Sequence, residues 1–385
     1  GFSEKYSLRF EFNIHSVFYP QSEALCRMPA FYLEMRVYPA GRVRLSEAVA
    51  DTPDQVTLFI RLRRPDTTIS ASADGEARID LAYTTALAPN LGDDPAQATA
   101  GNGHRTVQVC ERIQSLNEGC EVDDDGHGLR LTMPVQQPGS AIKWRLVWGA
   151  HCGDPVLRVN HCPGEPRMGR FRYTVELPDI DAVMRDAIEH RDARLLHSRR
   201  LEKLFDEATL TMTQRHLINQ SAQSFLANTF WCRLDDGEDW FSVWEGSSLF
   251  QSTIDVEYNV ALWYLTLWPD LLARQLHQWS QCETHDQASG GSFLRHDMGK
   301  GMDVTGQAYD HDMPIEESAD YLLLLQAYTH WTGDLIPATG LADLVDRLAK
   351  YLLWTDRDGS GFPSVGSANT LDDAGAAMQV ARKPT

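Results

Sequence analysis

The residues best suited to catalysis or ligand binding lie in two short runs, Trp244-Glu245-Gly246 and Arg295-His296-Asp297-Met298-Gly299. Asp255 lies between them, ten residues after Glu245. These runs place acidic residues and a histidine beside aromatic residues and glycines. In a helical protein, this combination predicts a polar pocket able to bind a sugar.

The elements that must position these residues change character along the chain. From about residue 6 to residue 176 the sequence alternates apolar and polar residues, as in Gln55 to Leu62 and Ala141 to Trp148. This pattern predicts strands with one buried face, which we interpret as a β-sandwich domain over residues 1–177. A charged stretch over residues 178–212 predicts a linker helix.

Residues 213–385 show helical spacing throughout and predict a helical domain. Loops between the helices hold most of the unusual polar residues, which places a pocket at one end of the domain. Gly333 is a helix stop signal. The candidate helices are Thr213–Thr229, Ile254–Trp268, Leu271–Cys282, Glu317–Thr332 and Leu341–Thr355.

Composition limits the function. A chain of 385 residues is longer than one core usually organises, so two domains are expected. The net charge of −19 excludes nucleic acid as a partner, because that binding needs an excess of Lys and Arg. No apolar run approaches the roughly 20 residues that span a bilayer, so we expect no transmembrane segment.

The cysteines leave two alternatives open. Cys110 and Cys120 are ten residues apart, and so are Cys152 and Cys162. Two disulfides would place the protein in an oxidising compartment, whereas buried free thiols are equally compatible with the sequence. The chain starts at Gly1 rather than Met, which suggests processing. We therefore favour an extracellular or periplasmic protein over a cytoplasmic one.

Taken in order, the motifs of the second half resemble glycoside hydrolase family 116, the β-glucosidase and glucosylceramidase group, and the related family 52 β-xylosidases. The order and spacing of the motifs carry the resemblance over about 170 residues. The matching motifs are Phe230 to Asp235, Trp244-Glu245-Gly246, Thr253 to Val256, Leu267-Trp268-Pro269, His296 to Gly299, Ala327 to Asp334, Asp356 to Gly361 and Thr370-Leu371-Asp372.

This resemblance implies a β-sandwich followed by an (α/α)6 toroid, of which residues 213–385 would form the first half. It implies Glu245 as the nucleophile and Asp372 as the general acid/base. Contacts to the sugar are implied for Asp255, His296 and Thr370. The run Ser247 to Gln251 departs from the more aromatic sequence of the family, so the choice between glucoside and xyloside stays open.

Glycoside cleavage requires two carboxyl groups with different roles. One is ionised and attacks the anomeric carbon, and the other is protonated and releases the leaving oxygen. Glu245 and Asp372 are far apart in sequence, so the fold must bring them to the separation of about 5 to 5.5 Å that retaining enzymes use. Asp373 is the rival proton donor, and Thr370 favours Asp372.

Each candidate also has an ordinary structural alternative. Glu245 could be an acid at a helix N terminus. His296 could be a core histidine bonded to Asp297, and Asp255 could cap its own helix, a role compatible with sugar binding. Aromatic residues at helical spacing usually belong to the core, and only Trp244 stands out as a candidate for stacking on a sugar.

The run from Asp356 to Gly361 resembles the start of a calcium loop, with Asp356, Asp358 and Ser360 as oxygen ligands. The twelfth position would be Ser367, which is not acidic, so a tight turn is the favoured interpretation. We expect no other cofactor.

The resemblance implies further helices after Thr385, with an acid and arginines for the sugar. Half a toroid would leave apolar helix faces exposed to water, at a free-energy cost of about 25 cal/mol for each Å² of apolar surface. The sequence therefore predicts a second polypeptide that completes the ring.

We expect a retaining β-glycosidase acting on a neutral β-linked sugar. Two alternatives remain: a non-catalytic carbohydrate-binding relative, and an amidase or glutaminase built on the same architecture.

Overall fold

A computed structural model describes residues 2–3, 8–39, 55–61, 68–71, 78–87, 105–118, 120–122, 128–134, 141–160, 165–310 and 312–365. The chain divides into two compact units that do not follow chain order. Unit 1 holds Gly1–Thr85, Val107–Asp154 and Tyr173–Thr209, and unit 2 holds Ala86–Thr106, Pro155–Arg172 and Leu210–Thr385. Sheets and helices are both prominent, so the predicted mixed β and α class is confirmed. 

Unit 1 is built on antiparallel sheet. Its described strands are β1 (Phe2–Ser3), β2 (Leu8–Ser16), β3 (Ala30–Pro39), β4 (Gln55–Arg61), β5 (Thr68–Ala71), β6 (Arg78–Leu87), β7 (Arg105–Ser115), β8 (Cys120–Val122), β9 (Gly128–Pro134) and β10 (Ile142–His151). Seven strands form one sheet in the order β1-β2-β3-β10-β7-β6-β5, and three form another in the order β4-β9-β8. Its helices are α1 (Glu23–Cys26), α2 (Ile180–Glu189) and α3 (Arg191–Glu207).

The alternation predicted from the sequence explains the core of unit 1. Along β10, Trp144 and Leu146 point to one face of the large sheet and are fully buried there. Val147 points to the opposite face and packs against Val183 and Met184 of α2. The sheet is therefore covered on one side by a helix from the stretch predicted as a linker.

Unit 2 contains a small sheet that the sequence analysis did not predict. Its described strands are β11 (Leu157–Val159), β12 (Arg167–Phe171), β13 (Thr229–Leu234), β14 (Asp239–Val243), β15 (Glu283–Asp286), β16 (Gly291–Leu294) and β17 (Asp303–Val304). The sheet order is β14-β13-β12-β11-β17, with β11 and β17 parallel, and β15 pairs with β16 separately. The expectation that residues 213–385 are helical throughout is therefore wrong.

The helices of unit 2 lie close to their predicted positions. They are α4 (Met212–Ala227), α5 (Ile254–Asn259), α6 (Ala261–Leu267), α7 (Pro269–Ser280), α8 (Pro314–Thr332), α9 (Ile336–Gly340) and α10 (Ala342–Thr355). Proline occupies the first turn of α7 and α8, where its missing N–H has no helical partner to lose. Gly333 ends α8 in the left-handed conformation, with φ of 73°.

Two expectations about compartment can be compared with this structure. None of the helices in the described part of the chain combines the length and apolar character needed to cross a bilayer. Cys110 and Cys152 are free thiols, so the free-thiol alternative holds for these two residues.

Candidate functional site

Glu245 lies in a tightly folded loop, residues 244–253, which leads from β14 to α5. Its N–H donates to the carbonyl oxygen of Phe250 at 2.9 Å, and its own carbonyl oxygen accepts from the N–H of Ser248 at 3.1 Å. Leu249 adopts a left-handed conformation with φ of 58° to close the loop. The main chain on both sides of Glu245 is thus fixed, while its side chain stays half-exposed.

Thr253 positions the Glu245 carboxylate. Its Oγ1 donates to Oε2 of Glu245 at 3.0 Å, and Thr253 is itself buried. A hydroxyl donor favours the charged carboxylate and restricts its rotation. The loop therefore presents a half-exposed carboxylate that Thr253 orients, as a nucleophile requires.

Trp244 is anchored beside Glu245. Its indole Nε1 donates to the carbonyl oxygen of Gly301 at 2.7 Å, and its ring meets Phe230 edge to face at 5.1 Å. The ring is half-buried. The N–H is occupied within the protein, so a sugar could meet this tryptophan only through its ring.

His296 and Asp297 form the centre of a second loop, residues 295–309. Asp297 accepts hydrogen bonds from the N–H groups of Gly299 and Ala308 at 2.9 Å and of Tyr309 at 3.0 Å. Its Oδ2 also lies 3.1 Å from Nδ1 of buried His296. The main-chain donors thus fix the Asp297 carboxylate, which in turn orients the His296 ring through Nδ1.

The two loops are joined by main-chain hydrogen bonds. The N–H of Gln251 donates to the carbonyl of Gly299 at 2.8 Å, and the N–H of Met298 donates to the carbonyl of Gln251 at 2.9 Å. At Gly299 any Cβ would collide with the carbonyl oxygen of Asp303. Glycine is required there because the backbones approach so closely.

Asp255 meets a partner that the sequence analysis missed, Glu317 on α8. The N–H of Asp255 donates to Oε2 of Glu317 at 3.1 Å. Thr253, not Asp255, is the N-cap residue of α5, so the alternative in which Asp255 caps its own helix does not hold. Ligating atoms of Asp255, His296 and Glu317 all lie within 4.8 Å of one another.

The environment of Glu317 is strongly negative. Burial is the largest cause that raises the pKa of Glu317 well above its ordinary value, and the charges of Asp255 and Glu316 raise it further. Asp320 behaves similarly, because burial and then Asp255 raise its pKa to about 6. Glu317 and Asp320 therefore lie where burial and neighbouring negative charge disfavour the ionised carboxylate, unless a positively charged or hydrogen-bonding partner compensates.

A separate buried acid, Glu257 on α5, is hydrogen-bonded to a neighbouring side chain. It accepts a short hydrogen bond from the hydroxyl of Tyr264, and both side chains are buried. Burial raises the pKa of Glu257 to about 8, although the Tyr264 hydroxyl opposes the shift. This pair is part of the core.

Three predicted site residues, Thr370, Asp372 and Asp373, lie outside the described residues. The predicted calcium ligands lie in an exposed turn. Asp356 accepts hydrogen bonds from the N–H groups of Ser360 and Gly361, both at 2.9 Å, so its oxygens close the turn.

Glu317 could have been found from the sequence. It lies on the stripe of α8 that carries Tyr321, Leu324 and Leu325, four, seven and eight residues later, all buried. An acid on the apolar stripe of a helix is uncommon unless it has a function or a partner.

The sequence model of glycosyl hydrolase family 52 matches residues 165–316. The matched segment contains Trp244, Glu245, Asp255 and His296, and it ends before Asp372. The match supports a relationship to the glycoside hydrolases. A search of curated proteins found no match.

Proposed function

We propose that this protein is a retaining β-glycosidase that hydrolyses β-linked glucosides or xylosides by double displacement. Glu245 attacks the anomeric carbon to form a glycosyl-enzyme intermediate. Asp372 first protonates the leaving oxygen and then activates the water that releases the sugar.

The observation that carries this proposal is the state of Glu245. Its half-exposed carboxylate is oriented by the hydrogen bond that it accepts from Thr253, and it lies within the segment that matches family 52. The buried acids Glu257 and Glu317 are much less accessible. Glu245 is therefore the best nucleophile among the carboxylates of the two described loops and the helices beside them.

The sugar-binding roles come from the resemblance to families 116 and 52. Asp255 and His296 lie together in the structure, as a common sugar pocket requires. Thr370 and Trp244 complete the proposed set of contacts. The (α/α)6 toroid is part of the same proposal, supported by the succession of helices α4 to α10.

The stereochemistry of the product tests the retaining mechanism. We would incubate the protein with nitrophenyl β-glucoside and β-xyloside and follow the anomeric protons of the released sugar by NMR. The β-anomer should appear first and then mutarotate. Initial release of the α-anomer, or turnover of neither substrate, would refute the proposal.

We also propose that a second polypeptide packs on unit 2. An open, mainly apolar groove of about 1320 Å³ lies between α5, α6, α8, α9 and α10, and Leu262 and Leu323 are exposed in it. Native mass spectrometry should find a stable complex with a helical partner. A fully active species of 43.3 kDa would contradict this.

A further inference from the structure

The loop that carries Glu245 has an uncommon main-chain conformation at Ser252. Its φ is 50°, in the left-handed region that residues other than glycine rarely adopt. Leu249 of the same loop has a φ of 58°, and in the described part of the chain these two are the non-glycine residues with positive φ. Such conformations persist only where the surrounding structure enforces them, and they cluster at functional sites. The neighbours of Ser252 must therefore hold it in place.

Ser252 is buried, and hydrogen bonds occupy its N–H, its carbonyl oxygen and its hydroxyl. The N–H donates to the carbonyl oxygen of Val243 at 2.7 Å, and Oγ accepts from the N–H of Val243 at 3.3 Å. From α7, Nε2 of Gln275 donates to the same Oγ at 3.3 Å, and Nε1 of Trp279 donates to the carbonyl oxygen of Ser252 at 2.7 Å. Strand β14 and helix α7 together fix this residue.

The two donors on α7 are held inside the protein. Gln275 and Trp279 are four residues apart, so they lie on the same face of the helix, and both are buried. The side chain of Gln275 is also within hydrogen-bonding reach of the Tyr264 hydroxyl. Apolar side chains are the ordinary occupants of such a buried face, so an amide there needs a reason. The hydrogen bond to Ser252 supplies one.

Ser252 is linked to the carboxylate of Glu245 through the next residue. Thr253 follows Ser252 directly, and its Oγ1 donates to Oε2 of Glu245 at 3.0 Å. Because one peptide bond joins the two residues, a change in the main chain of Ser252 would move the hydroxyl that orients the carboxylate. A displacement of about 1 Å at a reacting group can cost roughly 100-fold in rate.

We propose that Ser252, Gln275 and Trp279 are positioning residues for the nucleophile, an inference that rests on the proposed function. Gln275 and Trp279 hold Ser252 in its left-handed conformation. Ser252 in turn places Thr253, and Thr253 orients Glu245. The three positioning residues are buried, so they act through Thr253 rather than on the sugar.

Gln275→Met tests the proposal with a side chain of similar volume that cannot donate to Ser252. We expect kcat for nitrophenyl β-glycosides to fall about 10- to 100-fold, whereas KM should change less than about threefold. A fall in kcat without a rise in KM indicates a misplaced reacting group and intact sugar binding. Trp279→Phe removes the donor to the Ser252 carbonyl oxygen and should act in the same direction.

Gln278→Met is the matched control. Gln278 is a second buried glutamine of α7, but its amide atoms lie 2.9 and 3.2 Å from the main-chain oxygen and nitrogen of Phe241 in β14. We expect this variant to lose a similar amount of thermal stability and to keep kcat within about twofold. Equal losses of kcat in Gln275→Met and Gln278→Met would overturn the proposal, because lost stability alone would then explain both.

Hydrogen exchange followed by mass spectrometry examines the loop without a substrate. We expect the main-chain N–H groups of residues 244–253 to exchange at least about tenfold faster in Gln275→Met than in the unaltered protein, with unchanged exchange in α10. Trp279→Phe gives the same test if Gln275→Met does not fold. Unchanged exchange of the loop would show that α7 does not hold it, and would overturn the proposal.

The two experiments distinguish a failed positioning role from a failed glycosidase assignment. Turnover by the unaltered protein, with kcat and loop exchange unchanged in Gln275→Met and Trp279→Phe, would refute the positioning role and leave the proposed function intact. No turnover by the unaltered protein would refute the proposed function, and the positioning role would fall with it.

Discussion

The two compact units bury different kinds of side chain. Among the described residues, unit 1 buries two polar or charged residues, Glu111 and Arg112. Unit 2 buries many more, and most come from the two loops and the adjoining helices. They are Ser242, Gln251, Ser252, Thr253, Glu257, Gln275, Gln278, Ser292, His296, Asp297, Asp303, Glu317, Ser318 and Thr355.

The difference lies in how the buried acids are paired. In unit 1, Glu111 accepts from the indole of Trp148 at 2.8 Å and from the hydroxyl of Tyr83, so both of its oxygens are bonded. In unit 2, Glu317 keeps one oxygen without a hydrogen-bond partner. A fully paired acid stabilises a scaffold, whereas a partly paired acid indicates a place where a ligand completes the bonding.

Neutralising Glu245 should have the largest effect. Glu245→Gln keeps the shape of the side chain and can still accept from Thr253, but it removes the nucleophilic charge. We expect kcat for aryl β-glycosides to fall at least about 10⁴-fold with an unchanged melting temperature. Glu238→Gln, at the turn between β13 and β14, should retain activity. Near-normal activity of Glu245→Gln would remove Glu245 from the mechanism.

Asp372→Ala should have the next largest effect, and it should depend on the leaving group. Substrates with alkyl leaving groups need protonation and should slow by roughly 10²- to 10⁴-fold. Substrates with acidic phenols should slow far less. Asp373→Ala is the matched control. A larger, leaving-group-dependent effect from the control would assign the proton donor to Asp373.

Asp297→Ala tests whether the hydrogen bonds inside the loop of residues 295–309 stabilise unit 2. Three main-chain N–H groups and His296 would lose their acceptor, so the free energy of unfolding in urea should fall by about 2 kcal/mol or more. Asp310→Ala, at an exposed position, should change it by less than about 0.5 kcal/mol. Equal changes in the free energy of unfolding for the two substitutions would show that the hydrogen bonds of Asp297 do not stabilise the fold.

Glu257 should make unit 2 sensitive to pH. Its pKa is about 8 in the folded protein and near 4.5 when unfolded, so folding favours the protonated form. The contribution to stability is complete below pH 4.5 and is lost as pH rises towards 8, by at most about 1.4 kcal/mol per pH unit. Glu257→Gln should flatten this part of the stability profile. A slope that survives the substitution would assign it to another group.

Local signals explain what the sequence predicted well. The predicted helix Leu341–Thr355 differs from α10 by one residue, and the end of α8 at Thr332 was predicted from Gly333. These boundaries depend on residues next to them in the chain. The β13 and β14 hairpin was missed, although Phe230, Cys232 and Leu234 alternate inward and Asp236-Gly237 follows, a strong turn signal.

The site was only partly predictable. Motif order made Glu245, Asp255 and His296 candidates. No spacing in the sequence predicts that Asp255 and His296 lie close to Glu317, because the three come from separate elements. The predicted helix Ile254–Trp268 is likewise interrupted at Val260, between α5 and α6, where no proline or glycine in the sequence indicates a break. Tertiary packing decides both features.

Trapping the covalent intermediate tests the central claim most directly. The protein would be incubated with a 2-fluoro β-glucoside or β-xyloside that carries a good leaving group, then digested and mapped by mass spectrometry. We predict a single fluorosugar on the peptide that contains Glu245. A label on another carboxylate, or rapid turnover without any label, would contradict the assignment of Glu245 as the nucleophile.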